Sequence, residues 1–221
     1  MGDNQKDKRA TILIVDDHPA IRESLAAWIN RQSDLRVCGE AADANDAFRL
    51  AVECRPDIAV VDISLRTGNG IDLIRRIRDR VKGVRALVWS SHSEAVYAER
   101  CLRAGAMGYV QKDQVMETLM EAIHRVLKGK VYVSNVMNDT LLVRNFGDGQ
   151  SPGCPLQALA DRELEVFRLI GEGVKTADIA NRMHLSINTI QTYRERIKTK
   201  LNLTCGSQLT HFAMQWVLEK G

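Results

Sequence analysis

Two adjacent aspartates, Asp16 and Asp17, follow the apolar run Thr11-Ile-Leu-Ile-Val15, and Asp62 closes a second run that begins at Ile58. Carboxylates brought together repel and raise one another's pKa unless a cation neutralises them. A hard divalent ion such as Mg2+, held by one or two carboxylates with water and phosphate oxygens completing an octahedron, suits such a cluster. Ser90 ends a later apolar run and Lys112 follows another, adding a hydroxyl and an ammonium. Together these groups can clamp a transferring phosphoryl group, neutralising its equatorial oxygens while Asp62 attacks in line. An isolated Asp-Asp is more often a solvated acidic loop, and a single lysine a surface charge. Five suitable residues at four strand ends turn those odds.

The elements that must position them alternate. Strands are expected at Thr11–Val15, Arg36–Glu40, Ile58–Asp62, Val84–Ser90 and Gly108–Val110, from short β-branched apolar runs. Apolar residues at helical spacing place helices over Ala20–Gln32, Asn45–Cys54, Ile71–Arg80, Glu94–Ala104 and Val115–Leu127. Such alternation means right-handed βαβ crossovers and a parallel sheet covered on both faces, a doubly wound (βα)5 α/β fold. Its functional crevice lies beyond the carboxyl ends of the strands. Strands one and three are neighbours in this arrangement, so the three aspartates converge there.

The rest of the chain reads differently. Asn, Gly, Ser and Pro accumulate between Gly129 and Leu156, most densely over 145–155, which marks a linker with room for one helix at Val136–Arg144. From Leu159 onward the pattern is all helical: a helix capped by Asp161 and running to Glu172, a short one over Ala177–Met183 capped by Thr176, a longer one over Ile187–Leu201 capped by Ser186, and a last one after Gly206. The short helix, the turn through His184-Leu-Ser186 and the long helix have helix-turn-helix form, with Ala180 small at the crossing and Leu185 and Ile190 filling between. The long helix carries Arg194, Arg196, Lys198 and Lys200 against Glu195, while Ser186, Asn188, Thr189, Gln191 and Thr192 crowd its N-terminal end. A positive patch behind small polar residues is the footprint of a DNA-reading helix, although a basic solvated face on an interaction bundle is equally plausible from charge alone.

Composition sets the outer limits. The 221 residues suit one large or two small domains. With 31 Lys+Arg against 28 Asp+Glu the net charge is only +3, so any nucleic-acid contact must come from a local patch. No apolar run approaches the roughly 18 residues of a membrane span, and Met1–Arg9 is polar with no signal-peptide core behind it. The five scattered cysteines (Cys38, Cys54, Cys101, Cys154, Cys205) form no C-x-x-C pair and fit a reducing cytosol, so a cytoplasmic protein is expected. Neither His18 nor His92 has a base partner apparent from the sequence.

Val15-Asp-Asp-His-Pro19, Val61-Asp62, Ser90 and Gly105-Ala-Met-Gly-Tyr-Val-Gln-Lys112 resemble the receiver domain of bacterial two-component response regulators over about residues 11–128. The resemblance implies that Asp62 is the phospho-acceptor, served by a sensor histidine kinase. It implies that Asp17 and Asp62 ligate Mg2+ directly, Asp16 mainly through water, and that the backbone carbonyl of Ser64 is a further ligand. Lys112 would pair with the phosphoryl group. Ser90 and Tyr109 would be a switch pair, the hydroxyl moving toward the phosphate and the ring following inward. Two departures stand out. Arg66 replaces a usual proline in a loop containing Gly68, Asn69 and Gly70, which leaves the loop's stiffness open. Trp89 stands where a smaller aliphatic is usual and is expected to be core.

Leu159-Ala-Asp-Arg-Glu-Leu-Glu-Val166, Gly173-Val-Lys-Thr-Ala-Asp-Ile-Ala180, Leu185–Arg194 and Ile197–Leu201 resemble the LuxR-type DNA-binding domain. Here Ala160 replaces a usual Ser/Thr cap, Tyr193 a usual His, and Glu195 either selects cytosine by accepting from its amino group or pairs along the helix with Lys198 or Thr199. Together the two resemblances imply a NarL/FixJ-type regulator: receiver at 10–129, linker at 130–156 and a four-helix helix-turn-helix domain at 157–221. The implied function is phosphorylation-dependent promoter binding rather than enzymatic turnover, by a homodimer on a near-palindromic site. Leu209, Phe212 and Trp216 of the last helix are the expected dimer contact. The rivals are a Mg2+-dependent phosphohydrolase and a protein-interaction module; sustained turnover of a phosphate ester, or DNA binding indifferent to Arg194→Ala and Lys198→Ala, would favour one or the other.

Overall fold

The computed structural model describes residues 9–146 and 155–220. The chain divides into two compact units that part between Leu141 and Leu142. The densest stretch of the expected linker, 147–154, and Cys154 within it lie outside the described residues, as do 1–8.

In the first unit a five-stranded parallel sheet has the order β2-β1-β3-β4-β5. The strands are β1 (Ala10–Val15), β2 (Leu35–Ala41), β3 (Ile58–Val61), β4 (Arg85–Ser90) and β5 (Ala106–Gln111). They alternate with α1 (Pro19–Asn30), α2 (Ala44–Cys54), α3 (Gly70–Arg80), α4 (Glu94–Ala104) and α5 (Met116–Leu127). Ile12, Ile14, Ile58, Val60, Leu87 and Val110 are buried on one face with Leu25 and Ile29 of α1 and Leu119 and Ile123 of α5. The alternate residues Leu13, Val15, Ala59 and Val61 are buried as well, and α2, α3 and α4 pack side by side in a row. Burial on both faces is why these strands read as unbroken apolar runs. Each fully buried Leu or Ile contributes about 1.5–3 kcal/mol. β5 is longer than its apolar core Gly108–Val110, because pairing with β4 continues from Ala86↔Ala106 to Ser90↔Gln111. Hydrogen-bonding neighbours, not apolarity, set strand ends.

Beyond α5 the chain returns to the sheet edge. Tyr132 donates its N–H to the Met107 carbonyl (3.0 Å) and accepts from the Tyr109 N–H (2.9 Å), a one-residue parallel bridge on β5. The helix α6 (Asn135–Phe146) follows, its first turn capped by Ser134, whose hydroxyl accepts from the Met137 N–H.

The second unit holds a 3-10 turn at Pro155–Ala158 and the helices α7 (Asp161–Gly171), α8 (Thr176–Met183), α9 (Ile187–Lys200) and α10 (Gly206–Lys220). Asp161 is not a cap but the first residue of α7; the cap position is Ala160, whose N–H donates to Glu163 Oε2 at 2.8 Å. Thr176 likewise lies inside α8, after Lys175. Ser186 does cap α9, accepting from the Thr189 N–H at 3.1 Å. The core centres on Phe167, fully buried, with Phe212 edge-on at 5.6 Å and Trp216 at 5.9 Å between ring centroids. Such aromatic contacts add about 0.5–1.5 kcal/mol to the area they bury.

Candidate functional site

Asp16 and Asp62 stand directly beyond the ends of neighbouring strands, and the Asp62 N–H donates to the Val15 carbonyl (2.8 Å), which fixes the offset between them. Both are buried, at 1% and 5% exposure. Asp62 Oδ1 accepts from the Ser90 hydroxyl at 2.5 Å, and its Oδ2 faces Lys112 Nζ at 2.6 Å. The same ammonium reaches Asp16 Oδ2 at 2.5 Å. Lys112 is itself tied to β4 by its N–H on the Ser90 carbonyl. Buried charges are tolerated only when paired and hydrogen-bonded, and this arrangement satisfies both carboxylates. Burial alone pulls the Lys112 ammonium down, but the Asp62 charge and the hydrogen bonds to Asp16 and Asp62 outweigh it and hold its pKa above the ordinary lysine value. The Trp89 ring centroid lies 5.5 Å from Lys112 Nζ, within cation–π range. Trp89, buried in the core as expected, therefore also flanks the site.

The ligand atoms of Asp16, Asp17 and His18 lie within 4.8 Å of one another. Asp17 Oδ1 is buried and forms no hydrogen bond, although His18 Nδ1 approaches it to 2.8 Å. A buried Asp17 oxygen that accepts no hydrogen bond, beside the Asp16 carboxylate and the His18 imidazole, is a donor set that fits a hard cation. Asp62 reaches this trio through Lys112 rather than directly.

The loop after Asp62 is held by close contacts despite Arg66. Asn69, buried, caps α3 through the Ile71 N–H at 2.8 Å. Gly70 lies against the Asp62 peptide so closely that a Cβ there would stand 2.1 Å from the Asp62 carbonyl oxygen. The Ser64 N–H points at Asp62 Oδ1 at 3.4 Å.

His92, in the loop after β4, gains contacts that the sequence does not show, although none of them is a base. Its Nε2 lies 2.8 Å from Ser64 Oγ, its ring stacks on Tyr97 at 4.8 Å, and its carbonyl accepts from the Tyr109 hydroxyl at 2.7 Å. Tyr109 is 1% exposed and turned inward, and burial drives its pKa well above the ordinary tyrosine value. The available signal was the equal offset of Ser64 from Asp62 and of His92 from Ser90, two residues each. Its meaning depends on strand neighbours that a sequence does not name.

On α9 the polar side chains sort themselves. Asn188, Gln191, Thr192, Glu195 and Arg196 are exposed, while Thr189, Arg194 and Lys198 are half-buried. Thr192 turns its hydroxyl to the Asn188 carbonyl, and Glu195 pairs with Lys198 at 2.9 Å, the intrahelical alternative. Lys200 is bound to the buried Glu163 at 2.6 Å, so it bolts α9 to α7. On α10, Leu209 and Trp216 are buried against their own unit, at 0% and 8% exposure, which corrects their reading as dimer contacts: both are spent on the core. Phe212 is half-buried and lines an open recess of about 440 Å3 with Leu203, Ser207, Gln208 and His211.

Comparison with known proteins gives the same division. Residues 12–124 match the response regulator receiver domain, and residues 157–213 match the bacterial regulatory proteins of the luxR family. The oxygen regulatory protein NreC of Staphylococcus haemolyticus is 31% identical over 210 residues, covering 92% of this chain and 96% of that protein. The transcriptional activator protein ExaE of Pseudomonas putida is 31% identical over 204 residues, covering 92% and 95%. Among solved structures, RcsB of Salmonella enterica serovar Typhimurium, bound to a promoter in the presence of phosphomimetic BeF3-, shares the fold over 93% of this chain and 98% of that one, with a TM-score of 0.68 at 22% identity. A LuxR-family two-component response regulator from Aurantimonas covers 62% of this chain and 98% of its own, at 36% identity and a TM-score of 0.58.

A parallel receiver sheet with acids at its carboxyl edge, together with a LuxR-type helical domain, defines a DNA-binding transcriptional regulator rather than an enzyme. The chain belongs to the two-component response regulators of the NarL/FixJ type.

Proposed function

We propose that Asp62 accepts a phosphoryl group from a sensor histidine kinase and that this event controls promoter binding by α9. The observation that carries the proposal is the convergence of Lys112 on both Asp16 and Asp62, with the Ser90 hydroxyl on the other Asp62 oxygen. An Asp62 carboxylate oxygen attacks phosphorus, the bond to the donor's imidazole nitrogen breaks, and that nitrogen keeps the electron pair. Lys112 then pairs with a phosphoryl oxygen. Mg2+ would be held by Asp17 and Asp62, by Asp16 through water and by the Ser64 carbonyl, and when bound supplies the positive charge that offsets the phosphoryl oxygens. Ser90 releases Asp62 to bond the phosphoryl group, and the buried Tyr109 repacks beside it, shifting α4 and α5.

Residues 10–129 act as the receiver, 130–156 as the linker and 157–221 as the DNA-binding domain. Asn188, Gln191, Arg194 and Arg196 face DNA from the outer side of α9; Ser186 and Thr189 order its N-terminus, Thr192 lies beside them, and Lys198 contacts phosphate. Glu195 sets the reach of Lys198. Two copies bind half-sites about one helical turn apart, and the α10 contribution to that dimer narrows to Phe212 and the recess beside it. Among the described residues no helix is long and apolar enough to cross a membrane, and the regulator works in the cytoplasm, where promoters are.

The test is phosphoryl labelling by acetyl phosphate or a kinase. Asp62→Asn abolishes it; labelling that persists at Asp16 or Asp17 overturns the assignment.

A further inference from the structure

Five cysteines occur in the chain, and two of those described meet in the first unit, away from the acidic crevice. The β1–β2 register runs Ile12↔Val37 and then Leu13↔Gly39, so Cys38 is the extra, unpaired residue of a bulge. Bulges re-aim a side chain that regular alternation would point elsewhere. Cys54 is the last residue of α2, and its Sγ lies 3.6 Å from the Cys38 carbonyl oxygen. Both are half-buried, within reach of a small reagent, whereas Cys101 is fully buried. The bulge lies on an edge strand and Cys54 at a helix end, where helices commonly fray.

We infer that Cys38 and Cys54 form a dithiol site that low-molecular-weight disulfides oxidise to an intramolecular disulfide. Burial first, and the neighbouring Cys54 second, push the Cys38 thiol up to about 11, so Cys38 stays protonated at neutral pH. The opening attack therefore falls to Cys54: its thiolate takes one sulfur of the disulfide reagent, and the other half leaves as a thiolate. Cys38 then loses its proton to solvent and attacks the Cys54 sulfur, expelling the second thiolate. The protein gives up two protons and two electrons, and the reagent takes them up to become two thiols. The new bond joins the edge of the sheet to the end of α2.

The test incubates the full chain with oxidised glutathione, caps remaining thiols with N-ethylmaleimide and maps peptides by mass spectrometry. The expected product is a monomer with Cys38 and Cys54 peptides linked, and a melting temperature above that of the reduced protein, because the unfolded chain is constrained. Cys38→Ser accumulates the glutathione adduct on Cys54, because nothing resolves it, while Cys54→Ser leaves Cys38 capped by maleimide. Maleimide on both cysteines, separate glutathione adducts on each, or a dimer linked through Cys205 in place of the internal bond overturns the proposal. Circular dichroism of each variant separates loss of reaction from loss of fold.

Discussion

The acidic crevice and the α9 surface are assembled in opposite ways. Lys112 and Asp16 meet across 96 positions of sequence, both nearly sealed from water. The groups of α9 come from one continuous helix, mostly exposed, and its own ion pair, Glu195–Lys198, spans three residues. Interactions in the crevice are strong because solvent is excluded and every partner is held by a strand; those on α9 are weak because water and salt screen them. The first region depends on the whole fold, the second on one helix and its cap.

The contrast can be broken by comparing two lysines. Lys112→Ala strips Asp16 and Asp62 of their shared cation and is expected to cost about 3–5 kcal/mol, the usual loss on removing one partner of a buried pair; chemical denaturation measures it, and a loss under 1 kcal/mol would mean the crevice is as well hydrated as a surface. Gly70→Ala presses a methyl group on the Asp62 carbonyl. We expect about 1–3 kcal/mol of destabilisation from overpacking, with slower phosphoryl labelling because the acceptor's own peptide must shift. Tyr109→Phe deletes the hydroxyl that donates to the His92 carbonyl, for about 1 kcal/mol. It also removes a pH dependence. Folded Tyr109 keeps its proton above the ordinary tyrosine range, so its contribution is complete below the unfolded value near 10 and is lost as pH rises toward the higher folded value. Stability titrations of the two proteins should diverge in that window. Lys198→Ala is the smallest change: stability moves by about 0–1 kcal/mol, while DNA affinity drops on all sequences alike and the salt dependence flattens by about one unit of slope.

Much of the first unit was legible because its strands are short, β-branched and bounded by charged residues, and because Asp16, Asp17, Asp62, Ser90 and Lys112 all stand just where such runs stop. Edges were less legible: β5 extends past its apolar centre, and nothing in Lys130–Ser134 announces that Tyr132 joins the sheet. Caps at the helical unit misled in the same way. Asp161 has the right residue type, yet it is the first residue of α7, and the Ala160 N–H donates to Glu163, which also holds Lys200 of α9.

The sequence alone determined the order of elements, the chemistry gathered at the strand ends and the basic character of α9, since each follows from local periodicity or residue type. Only the tertiary structure decided which groups are available. It set Leu209 and Trp216 inside a core, gave Lys200 to Glu163, and brought His92 to Ser64 and the Cys54 thiol to the Cys38 carbonyl. Burial and partnership depend on neighbours distant along the chain, and no local pattern encodes which ones they will be.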